Sequence, residues 1–155
     1  LLIDAGDTIQ GTSLTDYFTL PVIPTPMGYD ARLQFLHEDD LVRAMVASAT
    51  GSEEGIVNVA GDGVITLAQA VALVGRPSVP VLAQAAGVMG GMFKRFGLAD
   101  FSPDQVSLLS FGRGVDTTRM RESFRFTPEY TTRAAFESFA AAVRDAGLQL
   151  TGRSA

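Results

Sequence analysis

Apolar and polar positions along the chain change their period several times, and each change marks an element. Leu1 to Ala5 is an apolar run stopped by Gly6-Asp7, the pattern of a buried strand entering a turn. Gly11 to Asp30 carries prolines at 21, 24 and 26 and the turn signal Met27-Gly28-Tyr29-Asp30, which predicts an extended segment running over the surface. Arg32 to Leu36 alternates as a brief strand does. His37-Glu38-Asp39-Asp40 then opens a helix, since acids in a first turn meet free N–H groups and the positive end of the helix dipole. Leu41, Val42, Met45, Val46 and Ala49 recur at helical spacing as its apolar stripe, and Thr50-Gly51-Ser52 ends it.

Gly55 to Ala60 is the clearest strand candidate, followed by a glycine turn at Gly61-Asp62-Gly63. Thr66 and Gln69 have capping-box spacing for a second helix, whose stripe of Leu67, Ala70, Val71 and Val74 stops at Gly75 with Pro77 beyond. Val79 to Phe93 is almost wholly apolar but falls short of the roughly 20 residues that cross a bilayer. It predicts a core or interface helix with Ala83, Gly87 and Gly91 on a close-packing face. Ser102-Pro103-Asp104 has the cap, N1 proline and first-turn acid of a short helix through Leu109. Thr117 or Thr118 begins another, to Phe124. Thr131-Thr132 begins the last, with Phe136, Phe139 and Val143 on one face and Gly147 as its stop. The expectation is one α/β unit over residues 1–150 with a frayed, disordered tail at 151–155.

Composition narrows the chemistry. The 155 residues suit one domain, 46% hydrophobic and only 19% charged, against about 25% charged in an average soluble domain. A net charge of −5 supplies no positive field for nucleic acid or an anionic membrane, so neither is an expected partner. The absence of cysteine excludes disulfides and thiolate zinc sites. With one histidine, His37, and one lysine, Lys94, a multi-histidine zinc centre cannot be assembled and any triad would have to use His37. No glycines match Gly-x-Gly-x-x-Gly, because Gly61 and Gly63 are followed by Thr66, and Gly112 and Gly114 by Thr117. There is no Gly-Lys-Ser/Thr, and none of Tyr17, Tyr29 and Tyr130 has a lysine four residues on. The pattern points away from a self-contained enzyme. The opening Leu1-Leu2-Ile3, with neither an initiator Met nor a charged leader, reads as the interior of a longer polypeptide.

Few residues remain to carry chemistry. His37-Glu38-Asp39-Asp40 is the densest ionisable set and on spacing alone suits a metal or an acid–base pair, but adjacent helical residues diverge and a helix start already accounts for the acids. Arg32 suits bidentate binding of a phosphate or carboxylate, or else pairs with Asp30, and Gln34 is similarly placed. Arg113, Arg119, Arg121 and Arg125 bring four charges into 13 residues, and Arg113, between two glycines and outside the predicted helix, is the best anion-binding candidate.

Three ordered blocks suggest a family. They are Phe35-Leu36-His37-Glu38-Asp39-Asp40-Leu41-Val42-Arg43-Ala44, Gly55-Ile56-Val57-Asn58-Val59-Ala60-Gly61-Asp62-Gly63, and Val115-Asp116-Thr117-Thr118-Arg119-Met120-Arg121 with Phe124-Arg125-Phe126-Thr127-Pro128. Together they resemble the C-terminal half of an extended short-chain dehydrogenase/reductase of the NAD-dependent epimerase/dehydratase family. The resemblance implies an α/β fold of a few short strands with about five helices, lacking the glycine-rich dinucleotide-binding half. It implies a substrate-binding lobe for a small molecule, a nucleotide sugar, in a cytoplasmic protein. NAD or NADP would be held by a missing N-terminal cofactor domain, and a homodimer is allowed. Arg32, Gln34 and Arg113 are the substrate-binding residues carried over, with no catalytic, cofactor-binding or metal-binding residue in this chain. The family's phosphate-binding arginine, four residues before the block's histidine, is replaced here by Leu33, with Arg32 and Gln34 on either side. Two alternatives stand beside this reading. One is a non-catalytic binding or regulatory module of the same fold. The other rests on residues 1–12, which resemble the Gly-Asp segment of metallophosphoesterases such as 5′-nucleotidases, with Asp7 as the metal ligand that a chain with one histidine could not complete into a dinuclear site.

Overall fold

In a computed structural model, residues 2–5, 17–81 and 114–152 are described. The Gly55–Ala60 run becomes strand β4 (Ile56–Val59), which pairs in parallel with β1 (Leu2–Ala5) in the register Leu2↔Ile56 to Ala5↔Val59. A second parallel pair joins β2 (Ile23–Pro26) to β6 (Ser78–Val81), and a short antiparallel pair joins β3 (Arg32–Leu33) to β5 (Ile65–Thr66). Helix α1 (Glu38–Thr50) packs on β1, α2 (Leu67–Val74) packs against the long α4 (Thr132–Gly152), and α3 (Thr118–Glu122) lies against β4. No helix among the described residues is long and apolar enough to cross a membrane.

Local signals in the sequence set several ends. The capping box at α2 forms on both sides, with Thr66 accepting from the Gln69 N–H and Gln69 accepting from the Thr66 N–H. Gly75 closes the same helix in the left-handed conformation at φ 74°, where a side chain would be strained. At α3 the Asp116 carboxylate accepts from both the N–H and the hydroxyl of Thr118, bonds that favour its charged form and lower its pKa.

Two hydrophobic clusters share one strand exit. Phe35 faces the first, where Phe136 meets Phe18 edge-on and Phe35 at a tilt, with ring centroids 5.0 and 5.1 Å away, and Tyr17, Ile23, Leu67 and Val71 belong to the same cluster. Leu36, pointing the opposite way, enters the second with Ala44, Val57, Val59, Met120 and Phe126. Phe136 is fully buried, and Phe139 and Val143 pack partly buried beside it, so the predicted face of the last helix is the one used.

Four sequence expectations are corrected. The 11–30 segment does not simply run over the surface: Tyr17, Phe18, Leu20 and Ile23 are buried core residues, and the Tyr17 hydroxyl, its pKa raised by burial, donates to the Pro24 carbonyl. Prolines 24 and 26 suggested a loop, yet with Pro80 they sit in a parallel pair that is two-stranded among the described residues, where each strand keeps an edge on which a missing N–H costs nothing. For the same reason Val79 to Val81 is strand rather than the start of a helix, while Ala83, Gly87 and Gly91, and the helix expected at Ser102 to Leu109, lie outside the described residues. On α1 the buried positions are Asp40 and Ala44, flanked by part-buried Ala47; of the expected stripe Leu41 is part-buried against the core, while Val42, Met45, Val46 and Ala49 are exposed. Finally, α4 runs through Gly147 to Gly152, because a glycine inside a long helix costs only about 1 kcal/mol and ends it only where another feature does. The expected tail therefore begins helical at 151–152, and residues 153–155 lie outside the described residues.

One backbone position carries strain. Arg125, exposed between Phe124 and Phe126, has φ 52° after the end of α3. Replacing it by glycine, Arg125→Gly, should raise stability by about 0.5–1 kcal/mol, the left-handed penalty less glycine's extra chain entropy. Urea midpoints of parent and variant measure this, and a lower midpoint for the variant would show that the arginine side chain repays its strain.

Candidate functional site

Arg32 is exposed on β3 and Gln34, just past the strand, is half-buried, while Leu33 and Phe35 turn into the core. The Gln34 amide is used at both ends. Its Nε2 donates to the Gly61 carbonyl at 3.0 Å, and its Oε1 accepts from the Val115 N–H at 2.9 Å. Three segments distant in sequence, the β3 exit, the glycine turn after β4 and the approach to α3, therefore meet at one side chain. Gly114 borders it, with space for a Cβ 3.8 Å from Gln34 Oε1. Arg113 itself lies outside the described residues.

Arg32 is exposed, and its guanidinium makes no hydrogen bond or ion pair with a described residue. Asp30 is not its partner, since the Asp30 carboxylate accepts from the Ala68 N–H at 2.9 Å in the first turn of α2. Arg32 thus has no partner among the described residues. The other arginines divide differently: Arg121 pairs with Asp62, Arg119 donates to the Glu54 carbonyl at 3.2 Å, and Arg125 is exposed. Two of the four charges near α3 are therefore structural.

The glycine turn is closed by protein. A Cβ on Gly61 would stand 2.7 Å from the Phe35 carbonyl, 2.9 Å from the Thr132 nitrogen and 3.0 Å from the Tyr130 carbonyl, so no phosphate approaches this glycine. Thr132, fully buried, places its hydroxyl 2.9 Å from the Gly63 carbonyl and 3.1 Å from that of Gly61. The 61–63 turn lacks the glycine spacing of a dinucleotide loop, and at Gly61 it lacks the open face as well.

The His37 block serves the fold. His37 caps α1, its Nδ1 accepting from the Asp39 N–H at 3.2 Å, and its ring stacks on Tyr130 with centroids 3.8 Å apart. The Asp39 charge, felt by the Tyr130 hydroxyl, raises that group's pKa. Asp40 is wholly buried and accepts from the backbone N–H groups of Glu129 and Tyr130 at 2.9 and 3.0 Å. Among the described residues, no group of three or more His, Asp or Glu side chains could hold a metal.

A separate open pocket of about 360 Å³ lies between β2 and α2, lined by Tyr29, Asp30, Leu67, Val71 and Ser78 among others. Neither Arg32 nor Gln34 lines it. Its walls come from segments about 40 residues apart, so only a sequence signal for β2–β6 pairing would have revealed it, and the prolines hide that signal.

No protein-family model matches the sequence. Uncharacterized proteins of Mycobacterium tuberculosis and Mycobacterium bovis are 36% identical over 128 residues, which cover 83% of this chain and 34% of theirs. Another uncharacterized protein of Mycobacterium tuberculosis is 32% identical over 130 residues, 82% of this chain and 14% of its own. The chain spans about a third or less of the curated relatives it matches. Among solved structures, UDP-N-acetylglucosamine 4-epimerase from Bacillus cereus superposes with a TM-score of 0.54 at 10% identity, over 92% of this chain and 44% of that one. A functionally unknown conserved protein from Silicibacter pomeroyi gives 0.50 at 18% identity over 79% and 40%. The fold is thus mixed α/β, a portion of the short-chain dehydrogenase fold of the epimerases.

Proposed function

We propose that the chain is the substrate-binding lobe of an NAD- or NADP-dependent nucleotide-sugar epimerase or dehydratase. The fold likeness to part of UDP-N-acetylglucosamine 4-epimerase supports it best, because nearly all of this chain superposes on less than half of that enzyme. In this reading, bound NAD(P) takes a hydride from a sugar carbon and returns it. Gly61, walled in on three sides by backbone, is not a phosphate cradle. In this reading the hydride chemistry is supplied elsewhere in the enzyme, and this chain binds and orients the substrate. On the same reading Arg32, with no partner among the described residues, holds a phosphate of the substrate, Arg113 is a second cation by sequence, and Gln34 fixes the junction of the Gly61 turn with Val115.

Isothermal titration of the chain with UDP and UDP-N-acetylglucosamine tests this. Binding is expected, weakened about 10- to 100-fold by Arg32→Ala, as loss of a charge-assisted hydrogen bond implies, with no binding of NAD. Micromolar affinity for NAD, or UDP binding indifferent to Arg32→Ala, would refute it. Gln34 favours a second reading, a non-catalytic ligand-binding module, because its amide is spent on two backbone groups close to where the resembled family carries its arginine. That module would bind its ligand yet show no turnover when joined to a cofactor-binding portion.

A further inference from the structure

The pocket between β2 and α2 plays no part in the reading above, since neither Arg32 nor Gln34 lines it. Its volume of about 360 Å³ falls at the small end of the range for ligand sites, roughly 300–1,000 Å³. Pro26, Leu67 and Val71 supply apolar lining, and Thr25, Ser78, Tyr29 and Asp30 supply hydroxyls and one carboxylate. An apolar lining with a few convergent polar groups is the composition of a small-molecule site.

Two of those groups are not used up by the protein. Asp30 accepts from the Ala68 N–H at 2.9 Å through one carboxylate oxygen, which fixes the group, and its other oxygen has no partner among the described residues. Tyr29 is 54% exposed and makes no hydrogen bond or ring contact among the described residues. A carboxylate accepts from hydroxyls in charge-assisted bonds about twice as strong as neutral ones, and an exposed phenol ring covers apolar C–H surface.

Charge selects the ligand. Asp30 is the one charged residue in the lining, and it repels an anion. A full cation is opposed from the other side, because Asp30 sits against the first turn of α2, the positive end of the helix dipole, and the exposed Arg32 follows two residues on. A neutral molecule with several hydroxyls on an apolar skeleton meets neither penalty. We propose that this pocket binds a neutral, polyhydroxylated ligand of the saccharide class, with the Tyr29 ring against one face of a sugar ring and the Asp30 carboxylate accepting from its hydroxyls. The site is separate from Arg32 and stands apart from the lobe reading.

Amide NMR titration of the full chain with glucose and with maltose tests it, with tetramethylammonium chloride and sodium phosphate as charged comparisons. Both sugars should shift the amides of Tyr29, Asp30, Ala68 and Ser78 with millimolar affinity, and neither salt should do so. Asp30→Asn keeps an oxygen for the Ala68 N–H but loses the charge, and Tyr29→Ala removes the ring from an exposed position. Each should weaken sugar binding about 10-fold while melting within about 2 °C of the parent. No response of these amides at about 100 mM sugar, a response that either variant leaves unweakened, or binding of either salt more tightly than sugar overturns the proposal. UDP added afterwards should leave the sugar affinity unchanged, and competition would overturn the proposal by placing the nucleotide in this pocket. Sugar binding without any UDP binding keeps the pocket and removes only the nucleotide of the lobe reading.

Discussion

Asp40→Ala is expected to lower the stability of the chain by about 3 kcal/mol, equivalent to a fall in melting temperature of about 8 °C. The side chain is entirely buried at the first turn of α1, and its partners sit nearly 90 residues away. One carboxylate oxygen accepts from the Glu129 N–H and from the Arg43 guanidinium at 2.6 Å, and the other accepts from the Tyr130 N–H. Truncation strands two backbone donors, each costing about 1–3 kcal/mol when left unpaired. The Arg43 ion pair adds little, because that side chain is 41% exposed and returns to water. Asp40→Asn should cost about 2 kcal/mol, since its amide replaces one acceptor with a donor facing an N–H. Chemical denaturation of the three proteins measures the series. An Asp40→Ala variant within 0.5 kcal/mol of the parent, on the order of an ordinary surface change, would show that the 129–130 segment does not depend on this carboxylate.

The second large effect is at Gly61→Ala, expected to cost about 3 kcal/mol. The three atoms that a methyl group would meet, at 2.7 to 3.0 Å, are all backbone and cannot rotate aside as a flexible side chain would. Two of them are also bonded to this turn: the Gly61 N–H donates to the Phe35 carbonyl at 2.9 Å, and the Thr132 N–H donates to the Asp62 carbonyl at 2.8 Å. Making room for the methyl group moves β3's exit and the start of α4 apart together. Gly63→Ala serves as the control, because Gly63 has φ 77° but nothing within 4 Å of a Cβ. It should cost only the left-handed penalty, about 1 kcal/mol. Equal losses at the two positions would mean that backbone conformation, rather than space, governs the turn. Because the Gly61 carbonyl also receives the Gln34 amide, Gly61→Ala should further weaken any anion bound beside Arg32, which titration of UDP would read.

What could be read from the chain itself was whatever rests on neighbours in sequence. The capping box at Thr66 and Gln69, the glycine stop at Gly75, the helix start at His37 and the strand from Ile56 involve bonds or periods within a few residues, and each formed as the residues dictate. Locality also misled. The most apolar stripe of α1 proved to be its exposed one, because burial was decided by Asp40 finding two N–H donors on the 129–130 segment, a match no period announces. Val79 to Val81 looked helical on composition and became strand because Ile23 to Pro26 lay beside it to complete the ladder.

Sequence alone therefore determined the α/β class, most helix starts, the absence of a dinucleotide-binding glycine loop and the small set of cations available for a ligand. Tertiary structure alone decided that Arg119 and Arg121 are engaged while Arg32 has no partner among the described residues, that Gln34 is bound at both ends and that Gly61 is sealed, because each depends on segments brought together from across the chain. A sequence states what each residue offers, and only the packed chain states which offers are already taken.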